Sequence, residues 1–377
     1  MQKAISSIAV LLLCIAMDTL ASPPPAPPTI AATGYLLIDV DSDTVLAAKD
    51  ADQRLEPASL TKIMTGYAVF RELEQGSVKL EDEVLVSEKA WKTPGSRMFI
   101  EVNKRVTVED LLKGLIIQSG NDASVALAEY VAGSEEAFAN LMNDHARRLG
   151  MRNTHFVNAT GLPDPEHYTT PHDIALVSEA TIREFPELYK MYAVKEFTFN
   201  EIRQHNRNSL LWRDKTVDGI KTGHTEAAGY CLVASAQREG MRLISVIMGT
   251  KSEKARAKES LSLLNYGFRF FETHRLYGAN DRLTRTRVWM GEQEQLSLGL
   301  AEDLHVTIPR RQYDRLNART DLDPRIEAPI AQGQKVGEVV VELDGEVLSR
   351  RPLIALEAVP EGGIWRTLVD SVLMMLE

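Results

Sequence analysis

Apolar and polar positions alternate at both ends of the chain and follow a helical period in its middle. The stretch "GYLLIDVDSDTVLAAKD" (34–50) carries two apolar runs about a polar centre at Asp41-Ser42-Asp43, which predicts a β-hairpin. "EPASLTKIMTG" (56–66) then predicts an amphipathic helix that starts after a proline. From about Val108 to Phe185 the apolar residues recur at helical spacing in "VEDLLKGLIIQ", "SVALAEYVAGS", "EAFANLMNDHARRLG" and "DIALVSEATIREFP". Strands return in "GYCLVASAQ" and "RLISVIMG", a second hairpin about Glu239-Gly240. "ARAKESLSLLNYGFRFFETH" (255–274) predicts a closing helix. Strands from both ends and helices from the middle predict an α/β (α+β) unit over 30–275, an antiparallel sheet backed by helices.

Beyond Leu276 the pattern changes. "TRVWMG", "LSLGL", "LHVTIP", "VGEVVVELDGEVL" and "RPLIALEAV" are short strands punctuated by Gly, Asp-Gly and Pro, a small all-β domain over 276–360. The tail, 361–377, is amphipathic as a helix. Ile364, Trp365, Leu368, Val369, Val372 and Leu373 share one half, and Arg366, Thr367, Asp370, Ser371 and Glu377 the other. At about 20 Å it is too short to span roughly 30 Å of hydrocarbon, so it is expected to lie in a membrane interface. Arg366 is the one base on the polar half, beside two acids, so the apolar half has to supply the binding.

The N-terminus adds an export signal. Lys3 precedes an apolar run from Ala4 to Met17, and "TLA" offers a small-residue cleavage site after Ala21, so 1–21 reads as a signal peptide. "SPPPAPP" follows as a stiff spacer, 22–29. Of two cysteines, Cys14 falls in the signal, which leaves Cys231 without an internal disulfide partner. A net charge of −10 with no long basic run argues against nucleic acid as the partner. The eight histidines are scattered, no H-x-x-x-H pair occurs, and neither a metal nor a cofactor is expected.

Three short motifs carry chemistry. Ser59 and Lys62 stand three apart on a helix and so share a face. A free serine is a poor nucleophile that needs a base. A lysine serves as that base when desolvation or a nearby cation lowers its pKa. Ile63 and Met64 are placed to dry Lys62, and a second lysine to depress it further. "QSGNDA" puts Ser119 and Asn121 in a break between helices, as a proton relay and a donor to a substrate amide. "GIKTGHT" puts Lys221, Thr222 and Gly223 before a strand pair, where Gly223 lets a substrate lie close and pair with the backbone.

In this order, S-x-x-K, S-G-N and K-T-G resemble the signature of serine β-lactamases and penicillin-binding proteins, with S-G-N in place of S-D-N and Asp122 following Asn121. "EPASLTKIMT", "LIIQSGNDA", "GIKTGHT", "NYGFRFFET" and "RPLIAL" resemble more closely the low-molecular-mass penicillin-binding proteins that act as D-alanyl-D-alanine carboxypeptidases, from about Gly34 to the C-terminus. The resemblance implies a β-lactamase/transpeptidase-like catalytic fold and removal of the terminal D-alanine from peptidoglycan pentapeptide stems. It implies Ser59 as nucleophile, Lys62 as its base and Ser119 as relay with Lys221. Asn121, Lys221, Thr222 and Gly223 would bind substrate, and His224, Arg207 and Arg256 stand where the family has polar contacts. The N–H groups of Ser59 and of His224 or Thr225 would hold the oxyanion, Ser96 would line the cleft, and the loop holding Glu166 would be structural. β-Lactams would acylate Ser59, and the enzyme would work in the periplasm, held to the outer face of the inner membrane by its last helix. A D,D-endopeptidase, a serine β-lactamase and a non-catalytic peptidoglycan-binding module are the alternatives.

Overall fold

The computed structural model describes residues 24–375. The signal peptide, Cys14 and the first residues of the spacer lie outside them.

Five strands form the central sheet: β1 (Gly34–Asp39), β2 (Val45–Lys49), β3 (Val217–Thr225), β4 (Gly229–Arg238) and β5 (Met241–Thr250). Their order is β2-β1-β5-β4-β3, antiparallel throughout, so the termini of the unit meet where β1 pairs with β5 and β3 is left as an edge. Alternation sorts the side chains by face. Leu36, Ile38, Val233, Ile244 and Val246 face the helical insert, while Leu37, Leu232, Leu243 and Ile247 face one long helix, Glu253–Phe270.

The insert supplies α1 (Thr61–Gln75), α2 (Asn121–Ala132), Glu135–Arg148 and Pro171–Glu184, packed as one core on the first face. Every residue of α1 from Thr61 to Phe70 is buried, so its polar members must find partners inside the protein. Before α2 the chain runs through a helix, Val108–Lys113, and a π-helical turn, Gly114–Gln118, that breaks at Ser119 in the left-handed conformation (φ +65°).

The closing helix is shorter than its sequence period predicts. It stops at Phe270, and Phe271–Tyr277 becomes a strand paired with Leu304–Pro309. Cross-strand partners, among them Thr273 opposite Thr307, override the local helical pattern. Two short strand pairs, Glu83–Leu85 with Arg105–Thr107 and the hairpin Glu196–Phe199 with Ile202–His205, are absent from the sequence-based expectation.

A second five-stranded antiparallel sheet follows, in the order 284–287, 295–299, 346–355, 335–343, 316–322, around Val288, Leu296, Leu298, Val339 and Leu353. The strand 316–322 was not legible because it is an edge strand and all but its first residue are exposed. Asp39 at the end of β1 ties the central sheet to the strand pair Phe271–Tyr277 with Leu304–Pro309. Its Oδ1 accepts from Ser42 and its Oδ2 from Thr273 Oγ1, at 2.8 Å each.

The last helix, Ile364–Met374, docks on the second domain with its polar side. Asp370 is 2% exposed and accepts from the Met290 N–H at 2.7 Å, beside Arg287 and Arg366. The apolar side is turned outward, with Ile364 86% and Trp365 80% exposed. No helix among the described residues is long and apolar enough to cross a membrane.

Candidate active site

Ser59 sits in a 3-10 turn, Ala58–Leu60, that leads directly into α1. Ala58 holds a left-handed φ of +48°, a conformation that costs a side-chain-bearing residue energy and that recurs at functional sites. The turn leaves Ser59 half-exposed while Lys62, one turn on, is wholly buried. Lys62 Nζ lies 3.2 Å from Ser59 Oγ, 2.7 Å from Asn121 Oδ1 and 2.6 Å from the Thr160 carbonyl. A neutral amine has two N–H bonds and one lone pair. The two oxygens of Asn121 and Thr160 accept the N–H bonds, so the lone pair is left for the Ser59 hydroxyl.

Burial lowers the Lys62 pKa from 10.5 to about 7; the Asp122 carboxylate opposes the shift and Arg207 adds to it. This alters the expectation that a second lysine completes the depression, because burial dominates and the contributing cation is Arg207. Lys221 is itself lowered well below the ordinary range, by burial first and then by Lys62, Arg207 and Arg256. It donates to Ser119 Oγ at 2.9 Å and to the Thr222 carbonyl at 3.0 Å.

A cleft of about 240 Å³ opens over these groups. Ser59, Ser119, Asn121, Thr222, Gly223, His224, Arg207 and Arg256 line it, with Ser96 and Thr225, and the two lysines lie buried beneath. All the residues singled out from the sequence for catalysis or substrate binding are therefore gathered at one place. One wall is β3, the free edge of the central sheet, whose outward backbone groups can accept an added strand. A side chain at Gly223 would crowd Pro57, Ala58 and the Ser59 N–H at 3.1–3.2 Å, so glycine keeps the strand open beside the nucleophile. Arg256 is buried and donates to the Gly223 carbonyl at 3.1 Å, which ties the wall to the long helix. His224 stacks on Tyr230, ring centroids 4.0 Å apart.

The family described as D-alanyl-D-alanine carboxypeptidase matches residues 20–252, and the family described as the C-terminal domain of penicillin-binding protein 5 matches 271–361. The chain is 47% identical over 355 residues to D-alanyl-D-alanine carboxypeptidase DacC of Escherichia coli, covering 92% of this chain and 89% of that one. The chain belongs to the D-alanyl-D-alanine carboxypeptidase family. It is 44% identical to DacA of the same organism over 359 residues, covering 93% of this chain and 89% of that one. Penicillin-binding protein 5 of Haemophilus influenzae superposes with a TM-score of 0.87 at 43% identity, over 89% of this chain and all of that one.

In this family member several groups around the cleft carry no sequence motif. Thr160 meets Lys62 through its backbone carbonyl, which any residue type supplies, so no side-chain pattern could reveal it. Gly161 (φ +79°) lies so close that an added Cβ would overlap the Ala58 carbonyl. His167 accepts the Val157 N–H on Nδ1 and meets Thr61 Oγ1 with Nε2 at 2.8 Å, which fixes a neutral tautomer; burial lowers its pKa to about 4. Glu166 is exposed and lies off the cleft, its carbonyl meeting His155 Nδ1 at 2.7 Å. Glu253 is the one acid among the residues that line the cleft.

Proposed function

We propose that this chain is a serine-type D-Ala-D-Ala carboxypeptidase that removes the terminal D-alanine from peptidoglycan pentapeptide stems. The observation that carries the reading is the Lys62 amine, dry, lowered to about 7, and 3.2 Å from Ser59 Oγ. The Lys62 lone pair takes the Ser59 proton, and Oγ attacks the carbonyl carbon between the two D-alanines. N–H groups of Ser59 and of His224 or Thr225 hold the oxyanion, each donor worth roughly 3–4 kcal/mol of barrier. The C–N bond breaks, and the proton given up by Ser59 reaches the departing amine by way of Ser119 and Lys221. Water then attacks the Ser59 ester and releases the shortened stem. The stem lies along the edge of β3, with Asn121 and Thr222 bonding its amide and carboxylate. β-Lactams, which mimic D-Ala-D-Ala, acylate the same Ser59 oxygen.

The enzyme works in the periplasm, exported by residues 1–21, with residues 362–377 holding it to the membrane surface. The outward apolar side of Ile364–Met374 supports this attachment. The test is incubation with a pentapeptide stem and with fluorescent penicillin. Wild type releases D-alanine and is labelled; Ser59→Ala does neither. Persistent labelling of Ser59→Ala would sink the assignment.

A further inference from the structure

We infer that Asp122, which follows the Ser-Gly-Asn motif, is a positioning residue for the reaction: its carboxylate clamps the backbone of Met98–Ile100 and so holds Asn121 and Lys62 in their working orientation. The inference rests on the carboxypeptidase reading of the same site.

Asp122 is 1% exposed and forms no ion pair with a Lys or Arg side chain among the described residues. Its charge is met by backbone N–H groups instead. Oδ1 accepts from Met98 at 3.0 Å and Ala123 at 2.9 Å, and Oδ2 from Phe99 at 2.9 Å and Ile100 at 3.3 Å. Three successive N–H groups converging on one anion form a nest. It requires Phe99 to hold a left-handed φ of +71°, unusual for a bulky residue, with its ring about half exposed. A strained, outward-turned aromatic persists only where its surroundings over-determine it, and here the surroundings are the buried carboxylate.

The clamped segment follows directly on Gly95 and Ser96, which form part of the wall of the cleft. Just before it, the Pro94 carbonyl accepts from Asn121 Nδ2 at 2.6 Å and the Ser96 carbonyl from the Asn121 N–H at 2.7 Å. With Nδ2 held by Pro94, Asn121 must turn Oδ1 to Lys62, at 2.7 Å. That oxygen occupies one of the amine's N–H bonds and leaves the lone pair for Ser59. If the wall shifts, the Asn121 amide is free to turn over and present N–H to N–H.

The clamp also brings a charge. The charged and titratable groups that face Lys62 are Asp122 from α2, Arg207 from the segment before β3, Lys221 from β3, and His167 from the loop after Gly161. Asp122 is the one acid among them, and it favours the ammonium form of Lys62.

Asp122→Asn keeps the shape and removes both the charge and one acceptor. Acylation by fluorescent penicillin should fall on the order of 10²-fold, the effect of a displacement of about 1 Å at a reacting group. The acid limb of the acylation rate should move to lower pH, while Asp122→Glu, which keeps the charge, should leave it near the wild-type position. A wild-type rate in Asp122→Asn overturns the inference, and so does a slower rate with an unmoved limb, which a loss of stability alone would produce. Should Asp122→Asn fail to fold, hydrogen exchange in the wild-type protein decides. The Met98 and Phe99 amides are protected if the clamp exists, and exchange as freely as exposed loop amides if it does not. Failure of the carboxypeptidase reading shows separately, as labelling of Ser59→Ala.

Discussion

The acid limb of catalysis should be set by Lys62 and should move when Arg207 loses its charge. With a pKa of about 7, about half of the Lys62 amines are neutral at pH 7 and about 1% at pH 5. An exposed lysine at 10.5 would be neutral in only about 0.03% of molecules at pH 7. Burial therefore raises the population of working base about 1,500-fold, equivalent to about 4 kcal/mol. The rate constant for acylation by penicillin at low penicillin concentration reports the free enzyme. Measured by stopped flow from pH 5 to 9, it should fall about tenfold per pH unit below 7 and level off above. Arg207→Gln removes a cation that disfavours the ammonium form, so the limb should move to higher pH, whatever the variant also loses in affinity. The same lysine makes stability depend on pH. Between about 7 and 10.5 the unfolded chain keeps its ammonium while the folded protein has shed it, so the unfolded state binds more protons and stability rises with pH. Lys221, lowered by burial too, adds to the rise. Urea titrations at pH 7 and 10 measure it. A limb near pH 10, a limb unmoved in Arg207→Gln, or a stability that falls over this window refutes the reasoning.

Gly161→Ala forces a side chain into the Ala58 carbonyl at a left-handed φ and should cost about 2–4 kcal/mol in urea unfolding; acylation should slow with it, because Ala58 precedes Ser59. Deleting residues 362–377 should release the protein from vesicles. Leu368→Ser, on the outward side of the last helix, should weaken vesicle binding by roughly tenfold and leave D-alanine release in solution unchanged.

The sequence made four strands of the central sheet legible because they are buried on both faces or alternate cleanly between them, as in Tyr35–Ile38 and Leu243–Val246, but it placed Lys221, Thr222 and Gly223 before a strand pair, whereas they lie within β3 itself. It misled at Phe271–Tyr277, where the helical period runs on but a distant strand decides the conformation. The short hairpin Glu196–Phe199 with Ile202–His205 is too brief and too exposed to leave a pattern. At the site, side chains chosen for their chemistry were readable from three motifs: Ser59 with Lys62, Ser119 with Asn121, and Lys221 with Thr222 and Gly223. What holds them was not, since the Thr160 carbonyl, the strained Ala58 and the N–H groups of Met98–Ile100 belong to the backbone. The amphipathic tail was legible as a helix, but its two acids read as an obstacle to lipid binding. Asp370 is in fact spent on docking the helix through Met290 and Arg366, which turns the apolar side outward.

The two depressed lysines also change which residues offer fixed positive charge to the departing D-alanine carboxylate. Lys221 is suited to that task by sequence position, yet it is buried beside Lys62 and lowered well below the ordinary range, so its ammonium is the form its surroundings oppose. A guanidinium is far harder to deprotonate than an ammonium. Arg256 is lowered by its burial, but from a starting value of 12.5, and both it and the exposed Arg207 line the cleft. In the proposed mechanism the arginines thus supply charge that survives desolvation, while the lysines, which can release a proton, move protons. The same arginines depress Lys221, and Arg207 depresses Lys62, so one pair of cations serves both the leaving carboxylate and the bases.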